Sequence, residues 1–342
     1  MANLNALNLK TAVAKLIAKA AADEMRMPSA DTYLSIIKNT PLMVPDYLGL
    51  RTSPNRTLEF ALKSRVKRTV GSAISANHSG TRGDSLVIQP SWFTAKVDFV
   101  DSLKQYNNNE FSRIEGLAGD YENAYLDILE DLEDKAQSFL FDERTGVNGS
   151  LGGGGSFSTS DDVYNFPSTS VDVLLQKTKT VLEEMGYKGR ITLYCDSTAY
   201  DLFEFQIFQG SGNATNLTFQ KDNITFVRSI GLGSKFSGLA GTYGTGVWVA
   251  VPEGSVGAMP YLDTANREGV ETSVASYGTA ISPYDGTSMG IHTYEERADN
   301  NGVNGELQDV NVEYQLSSQM SFFASPISVT DETPIFAFSL QA

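Results

Sequence analysis

Three unlike segments follow one another between Thr57 and Phe141, and their order constrains the fold more than any other feature of the chain. Two β-like arms, Thr57–Val70 and Leu86–Val100, flank a polar tip rich in glycine and serine, Gly71–Ser85. A long amphipathic helix then follows. A two-stranded ribbon is only marginally stable in water, because it has too little surface to pack against. A ribbon of this length therefore needs a partner surface, most simply on a neighbouring copy.

The composition leaves room for a substantial core and argues against several kinds of site. The chain has 342 residues, enough for one large or two interleaved domains, and 41% are hydrophobic. Its one cysteine, Cys195, excludes an intramolecular disulfide, and two histidines, His78 and His292, leave little room for a histidine-based metal site. No apolar run approaches the roughly 20 residues that span a bilayer. We expect no cofactor and no metal.

Charge is distributed unevenly along the chain. The net charge is −15, yet residues 1–70 hold 11 Lys/Arg against 5 Asp/Glu, and residues 71–342 hold 15 against 36. Oppositely charged parts attract, so copies could lay a basic N-terminal part across an acidic neighbour. The basic part could also contact nucleic acid, although no helix-turn-helix or aromatic-interleaved groove predicts sequence-specific recognition.

The N-terminal region is expected to form a helix and then an extended segment. Leu9–Ala22 has helical spacing, and Lys15 and Lys19 interrupt the apolar run that a secretory signal would need. The predicted inner face consists of Leu9, Val13, Leu16, Ile17 and Ala20, with Lys15 and Lys19 opposite. We interpret it as an arm packed on the protein, with a membrane-surface or transit helix as the alternative. Three prolines, Pro41, Pro45 and Pro54, predict an extended, non-helical course over Asn39–Arg56.

The strongest local prediction is a helix from Asn109 to Phe141. Apolar residues recur there at the i, i+3, i+4 and i+7 spacing, and Asn109 is a plausible N-cap. Its acids, Asp127, Glu130, Asp131, Glu133 and Asp134, mostly lie off the apolar stripe. A solvated helix face is favoured for them over a paired-carboxylate catalytic site.

The remainder reads as α/β and then as short strands. The run Gly149–Ser156 is a flexible hinge by composition, and no Gly-Lys-Ser/Thr follows to make it a phosphate loop. A helix is predicted over Val171–Met185, a strand over Arg190–Cys195, and a helix through Phe208 capped by Asp196 or Ser197. Cys195 is expected to be a buried core residue. Later strands are predicted at Ile224–Ile230, Gly246–Val251, Val270–Ser276, Asp309–Leu316 and Ile335–Leu340.

One pattern raises the question of catalysis. Gly286–Gly290 matches the G-x-S-x-G nucleophile elbow around Ser288, and His292 stands two residues beyond it. The elbow needs a strand before it and a helix after it, whereas the flanks here predict a turn and then a strand. No dinucleotide, zinc or EF-hand spacing is present either. We therefore predict no enzymatic activity.

Taken in order, the segments resemble the major capsid proteins of tailed bacteriophages, which share the Hong Kong 97-like fold with encapsulins. The resemblance covers nearly the whole chain. It rests on segment order together with the local sequences Gly83–Ser85, Asp98–Leu103 and Asn107–Phe111. It implies an α+β fold with an N-terminal arm, an extended two-stranded loop, a long spine helix, a peripheral domain and an axial domain. The implied boundaries are 1–56 for the arm, 57–100 for the extended loop, 101–216 for the spine helix and first part of the peripheral domain, 217–283 for the axial domain, and 284–342 for the return to the peripheral domain.

The resemblance also implies function and partners. It predicts a major capsid protein that assembles as hexamers and pentamers into an icosahedral shell around double-stranded DNA. It predicts a virion location after assembly in the host cytoplasm. The partners expected are further copies, a separate scaffold protein, a portal protein, non-specifically bound DNA and, as an option, a decoration protein. An encapsulin-like compartment is the alternative, and a secreted β-rich adhesin or serine hydrolase is a remote one.

We expect the ribbon to carry the contacts between copies. Its basic face, from Lys63, Arg65, Lys67 and Arg68, is predicted to dock on an acidic neighbouring surface near the spine helix. A solvated edge strand is the alternative. The other predicted contact residues are Arg82, Asp84, Trp92 and Phe93. The tip contains no lysine, which disfavours covalent crosslinking there, and the glycine hinge is expected to let one sequence adopt several shapes.

Overall fold

A computed structural model describes 14 stretches of the chain: residues 11–19, 29–43, 60–63, 85–88, 91–102, 110–145, 160–167, 174–209, 223–237, 239, 246–262, 275–298, 309–325 and 333–340. The helices are α1 (11–19), α2 (Asp31–Met43), α3 (Glu110–Asp142), α4 (Leu174–Glu184), α5 (Ser197–Gln209) and α6 (Leu232–Phe236). The strands are β1 (Phe60–Lys63), β2 (Ser85–Ile88), β3 (Phe93–Ser102), β4 (Val163–Phe166), β5 (Ile191–Cys195), β6 (Ile224–Arg228), β7 (Val247–Pro252), β8 (Val256–Tyr261), β9 (Ala275–Ile281), β10 (Ser288–Ala298), β11 (Asp309–Ala324) and β12 (Phe336–Leu340).

The described strands form a ribbon and two larger sheets. The ribbon is the pair β1–β2. Sheet I has the order β3-β11-β10-β9, with β8 also paired to β11, and sheet II has the order β4-β12-β7-β5-β6. The helices together with the ribbon and the two larger sheets confirm the predicted α+β class.

The long helix α3 is the spine of the molecule, and it confirms the strongest sequence prediction to within one residue at each end. Its stripe from Leu117 to Leu140 is buried against sheet I. The ring of Tyr121 packs edge-on against Phe99 of β3, with centroids 4.9 Å apart, and lies 5.9 Å from Tyr314 of β11. The predicted alternation along β11 is confirmed as well, since Val312, Tyr314 and Leu316 are buried on the spine side.

Sheet II is buried on both faces. Along β7, Val247, Val249 and Val251 join the core that contains the spine helix, whereas Trp248 and Ala250 join a second core under α4 and α5. This division follows from the strand period of two, which sends alternate side chains to opposite faces. The predicted strand ending at Cys195 and the helices on either side are confirmed. Gly186, with φ at +89°, ends α4, and the Asp196 carboxylate caps α5 by accepting the Ala199 N–H at 2.7 Å.

The expected extended course from Asn39 is wrong at its start, because α2 runs through Pro41 to Met43. Pro41 stands in the last turn, where it removes only the bond that its own N–H would donate. The helix is held by tertiary contacts that single-residue propensities do not register. Tyr33 and Ile36 are fully buried, and the Thr40 hydroxyl accepts the Ala258 N–H of β8 at 2.8 Å.

Helix α1 packs on the spine as the arm interpretation predicted, but with a different face. Ala12 and Leu16 are buried, whereas Ile17 is 53% exposed. The two lysines point towards the spine: Lys15 pairs with Glu115, and Lys19 lies 3.7 Å from Glu122. Placing the lysines opposite the contact face was therefore wrong, because acids on the partner helix attract them to its rim.

Each of the two sheets joins segments that are far apart in the sequence. The parallel pair β5–β6 of sheet II brings together strands from residues 101–216 and 217–283. Within residues 284–342, β11 belongs to sheet I and β12 to sheet II. Assignment of axial and peripheral domains to these sheets stays a prediction.

Two glycine-to-alanine substitutions should shift stability in opposite directions. Gly119 lies in the spine helix with no atom within 4 Å of an added Cβ, so Gly119→Ala should raise the free energy of unfolding by about 0.5–1 kcal/mol. Gly257 faces the Phe323 ring, 2.8 Å from an added Cβ, so Gly257→Ala should lower it by about 1–3 kcal/mol. Urea denaturation measures the free energy of unfolding of both variants. A change in the same direction for the two would contradict the packing described.

The buried ion pair between β3 and the spine should be costly to break. The Arg113 Nε donates to Asp101 Oδ2 at 2.6 Å, and both side chains are at most 3% exposed. Asp101→Ala leaves the guanidinium buried without its carboxylate, which should cost about 3–5 kcal/mol in chemical denaturation. Asp98→Ala on the same strand is the control. Its side chain is 62% exposed, so we expect a loss of at most about 1 kcal/mol.

Candidate functional site

The described part of the predicted ribbon forms an antiparallel pair. Its register aligns Phe60 with Ile88 and Leu62 with Leu86. The second arm, however, is not one continuous ribbon strand. From Phe93 onward it belongs to β3, which pairs with β11 at the edge of sheet I. Alternate β3 residues such as Phe99 pack on the spine helix, and this burial takes the strand out of the ribbon.

The register gives the ribbon an apolar face. Directly opposite residues of a strand pair lie on the same face, and the face alternates along each strand. One face therefore carries Phe60, Leu62, Leu86 and Ile88, and the other carries Ala61, Lys63, Ser85 and Val87. The sequence pattern indicates only the basic face. The pairing of the two strands is needed to show which residues stand opposite each other.

The predicted contact residues fall into three groups. Lys63 is the last residue of β1, opposite Ser85. The ribbon residues Arg65, Lys67, Arg68, Arg82 and Asp84 lie outside the described ranges. Trp92 and Phe93 make contacts within their own subunit: the Trp92 ring lies 5.4 Å from Tyr261, and Phe93 stacks on Phe322 at 5.6 Å. Their role between copies stays a prediction, because the contacts shown are intramolecular.

Sheet I has an open face on the side away from the spine. Across the sheet, one row of this face runs Val100, Glu313, Tyr294 and Ala275. Val100 is 55% and Tyr294 42% exposed, and Ile281 on the same face is 60% exposed. Half of the six large hydrophobic side chains found exposed among the described residues therefore lie on this one surface. Val100 and Tyr294 lie in one row, whereas Ile281 lies about 20 Å further along β9. A sheet face that exposes apolar side chains is a candidate interaction surface.

The residues of the nucleophile-elbow pattern do not form an elbow. Ser288 begins β10, and the strand continues through His292. Four residues along a strand separate their Cα atoms by about 13 Å, too far for a hydrogen bond between the side chains. His292 instead lies beside the ring of Tyr277, 6.4 Å between centroids. Cys195 is buried as predicted, and burial raises the pKa of its thiol well above the ordinary value.

Of the five spine-helix acids expected to be solvated, all but one are exposed. Asp127, Glu130, Asp131 and Asp134 are exposed, as predicted. Glu133 is only 7% exposed, and its carboxylate accepts the Tyr33 N–H at the start of α2 and the Gln137 amide, both at 2.8 Å. It stabilises the positive end of the α2 dipole. Burial raises the pKa of Glu133, and the hydrogen bonds it accepts offset this only in part.

Among the described residues, no cluster of His, Cys, Asp or Glu could hold a metal ion. No helix within the described ranges is long and apolar enough to cross a membrane. The surfaces that stand out are therefore the ribbon and the open face of sheet I.

Glu133 should leave a signature in the pH dependence of stability. A raised pKa means that the folded chain holds this proton more tightly than the unfolded chain. The resulting stabilisation is complete below the ordinary value of 4.5 and is lost as the pH rises through the folded pKa. Glu133→Gln should lack this loss of stability. In urea denaturation from pH 4 upward, the free energy of unfolding of the variant should therefore rise relative to that of wild type. Glu130→Gln, an exposed control, should follow wild type, and parallel curves for all three proteins would contradict the assignment.

The fold matches a solved phage capsid structure. The structure described as the cyanophage Pam1 capsid asymmetric unit aligns over 92% of this chain and 93% of that chain, with a TM-score of 0.51 and 10% identity. Structures from Mycobacterium phage Che8 and from the capsid of Myoviridae phage XM1 align with TM-scores of 0.45 and 0.38, at 10% and 12% identity. They cover 88% and 82% of this chain and 90% and 83% of the respective partner chains.

No protein-family model and no curated protein matches the sequence. At this level of identity the likeness to the Pam1 capsid establishes the fold and nothing finer. The order of the segments predicted a resemblance to phage capsid proteins, and this is confirmed for the fold. The chain has a phage capsid fold.

Proposed function

We propose that the chain is a major capsid protein that assembles with copies of itself, as hexamers and pentamers, into the shell of a tailed double-stranded DNA bacteriophage. The observation that carries the proposal is the apolar face of the ribbon, on a chain with a phage capsid fold. A two-stranded ribbon gains stability when such a face is buried. A second copy supplies the partner surface in a self-assembling shell.

The open face of sheet I is the receiving surface we favour. It exposes Val100, Tyr294 and Ile281 for apolar contact, and it carries the exposed acid Glu313 between the first two. The first arm of the ribbon continues from Lys63 into further basic residues. Complementary charge would then set the register of the contact, while apolar burial would provide most of its stability.

The overall negative charge suits a container for DNA. A net charge of −15 keeps non-specific contact with phosphate weak, because each Lys/Arg–phosphate contact adds affinity that depends steeply on salt. The proposed partners are a separate scaffold protein, a portal protein, the packaged DNA and, as an option, a decoration protein. The proposed location is the virion, after assembly in the bacterial cytoplasm.

The proposal is tested by expressing the chain with and without a candidate scaffold protein. Negative-stain microscopy and sedimentation should show rings of five or six, tubes or closed shells. A compact monomer at high concentration under both conditions would contradict it. Particles that enclose DNA would favour the phage shell over an encapsulin-like compartment.

The two ribbon faces can be compared with matched variants. Leu62→Ser removes one apolar group from each proposed contact, a loss of about 2 kcal/mol, and should reduce the yield of closed particles strongly. Ala61→Ser, on the opposite face, is the control and should assemble normally. Arg65→Glu combined with Lys67→Glu should impair closure at physiological salt. Normal particles from both the Leu62 variant and the charge-reversed variant would show that the ribbon does not dock.

A further inference from the structure

The chain leaves the spine helix through residues that are already bonded to the C-terminal part of sheet II. The Thr145 N–H donates to the Ile335 carbonyl at 2.8 Å, and the Thr333 hydroxyl donates to the Glu143 carbonyl. Residues 333–335 are buried, and at the end of the spine Thr145 is buried whereas Glu143 is exposed. The end of the spine is therefore attached to the segment that leads into β12.

The chain returns to the same place. Residues 163–166 form β4, which pairs in parallel with β12, Val163 opposite Ala337. The stretch 146–159, which contains the glycine run, thus connects two points that are both held by residues 333–340. Rotation of these two points relative to each other would require breaking their bonds to residues 333–340.

Arg144 joins the two ends directly. Its guanidinium donates to the Phe141 carbonyl in the last turn of the spine and, through Nε, to the Asp161 carbonyl at 3.2 Å. It also lies 4.2 Å from the centroid of the Phe141 ring, close enough for a cation–π contact. Asp161 and Asp162 have φ of +57° and +58°, the left-handed conformation that aspartate adopts more readily than most residues other than glycine.

We infer that Arg144 latches the joint between the spine helix and sheet II, so that the glycine run closes a loop at this joint and does not act as a hinge. A hinge works only where the two bodies it connects move relative to each other. Here the spine end and β4 both bond to residues 333–340, the spine end just before β12 and β4 along β12, and Arg144 joins them to each other. This inference is opposed to the expectation that Gly149–Ser156 lets the subunit change shape, and the experiments that follow decide between the two. The inference does not depend on the proposed function.

Hydrogen exchange on the subunit tests the latch. Arg144→Ala should speed exchange of the amides in residues 161–166 by about tenfold, the effect of losing one charge-assisted hydrogen bond, and leave the middle of the spine unchanged. Arg190→Ala, at an exposed arginine, is the control and should not change these rates. Unchanged exchange in the Arg144 variant would overturn the latch.

The hinge is tested separately, so that a poorly folded Arg144 variant cannot decide the matter. Replacing Gly152–Gly155 with alanine, or inserting an epitope peptide between Gly153 and Gly154, should leave exchange in residues 161–166 and the melting temperature unchanged. If the chain forms particles, their diameter should also stay the same. Altered exchange, or particles of altered diameter, from the alanine variant would show that the glycine run does act as a hinge.

Discussion

The fold depends on the burial of one face of the spine helix. Thirty-three residues long, α3 packs its apolar stripe on sheet I and shares a core with the inner face of sheet II. Helices α1 and α2 are attached to the same helix, α1 by Lys15 and Lys19 at its rim and α2 through the buried carboxylate of Glu133. Each of these attachments uses a side chain whose position is set by the helical period of the spine.

Two buried polar interactions add specificity to this mainly apolar core. The Asp101–Arg113 pair joins the edge strand of sheet I to the first turns of the spine. Glu133 joins the second half of the spine to the start of α2, next to the buried hydrogen bond between Thr32 and Ser229 at 2.8 Å. Buried charged groups are poorly tolerated unless they are partnered, so such pairs favour one arrangement of the elements over sliding alternatives.

A single copy leaves two surfaces that would gain from a partner. The ribbon forms a sheet of its own, and sheet I keeps one face away from the spine with Val100, Tyr294 and Ile281 exposed. An assembling protein must keep apolar surface available until a neighbour covers it, whereas a monomer would usually bury it.

The elements that could be predicted from sequence are those whose pattern is repeated. The spine helix has about nine turns of the same apolar spacing, so a local irregularity could not hide it. Short elements were less secure. The helix through Pro41 was missed, because Tyr33 and Ile36 owe their burial to distant strands, and α1 was turned so that its lysines reach acids about a hundred residues away in the chain. The prediction that the residues around Ser288 do not form a nucleophile elbow is confirmed, because a strand keeps Ser288 and His292 apart.

By itself, the sequence determined the order of arm, ribbon, spine and mixed sheet, the burial of Cys195 and the exposure of most spine acids. Periodicity and composition act locally, and these features follow from them. Only the tertiary structure decided which strands pair, that the ribbon has an apolar face, that Trp92 and Phe93 pack within their own subunit, and that Thr145 and β4 both bond to residues 333–340. Pairing and register depend on contacts between residues far apart in the chain, whose free energy no local pattern records.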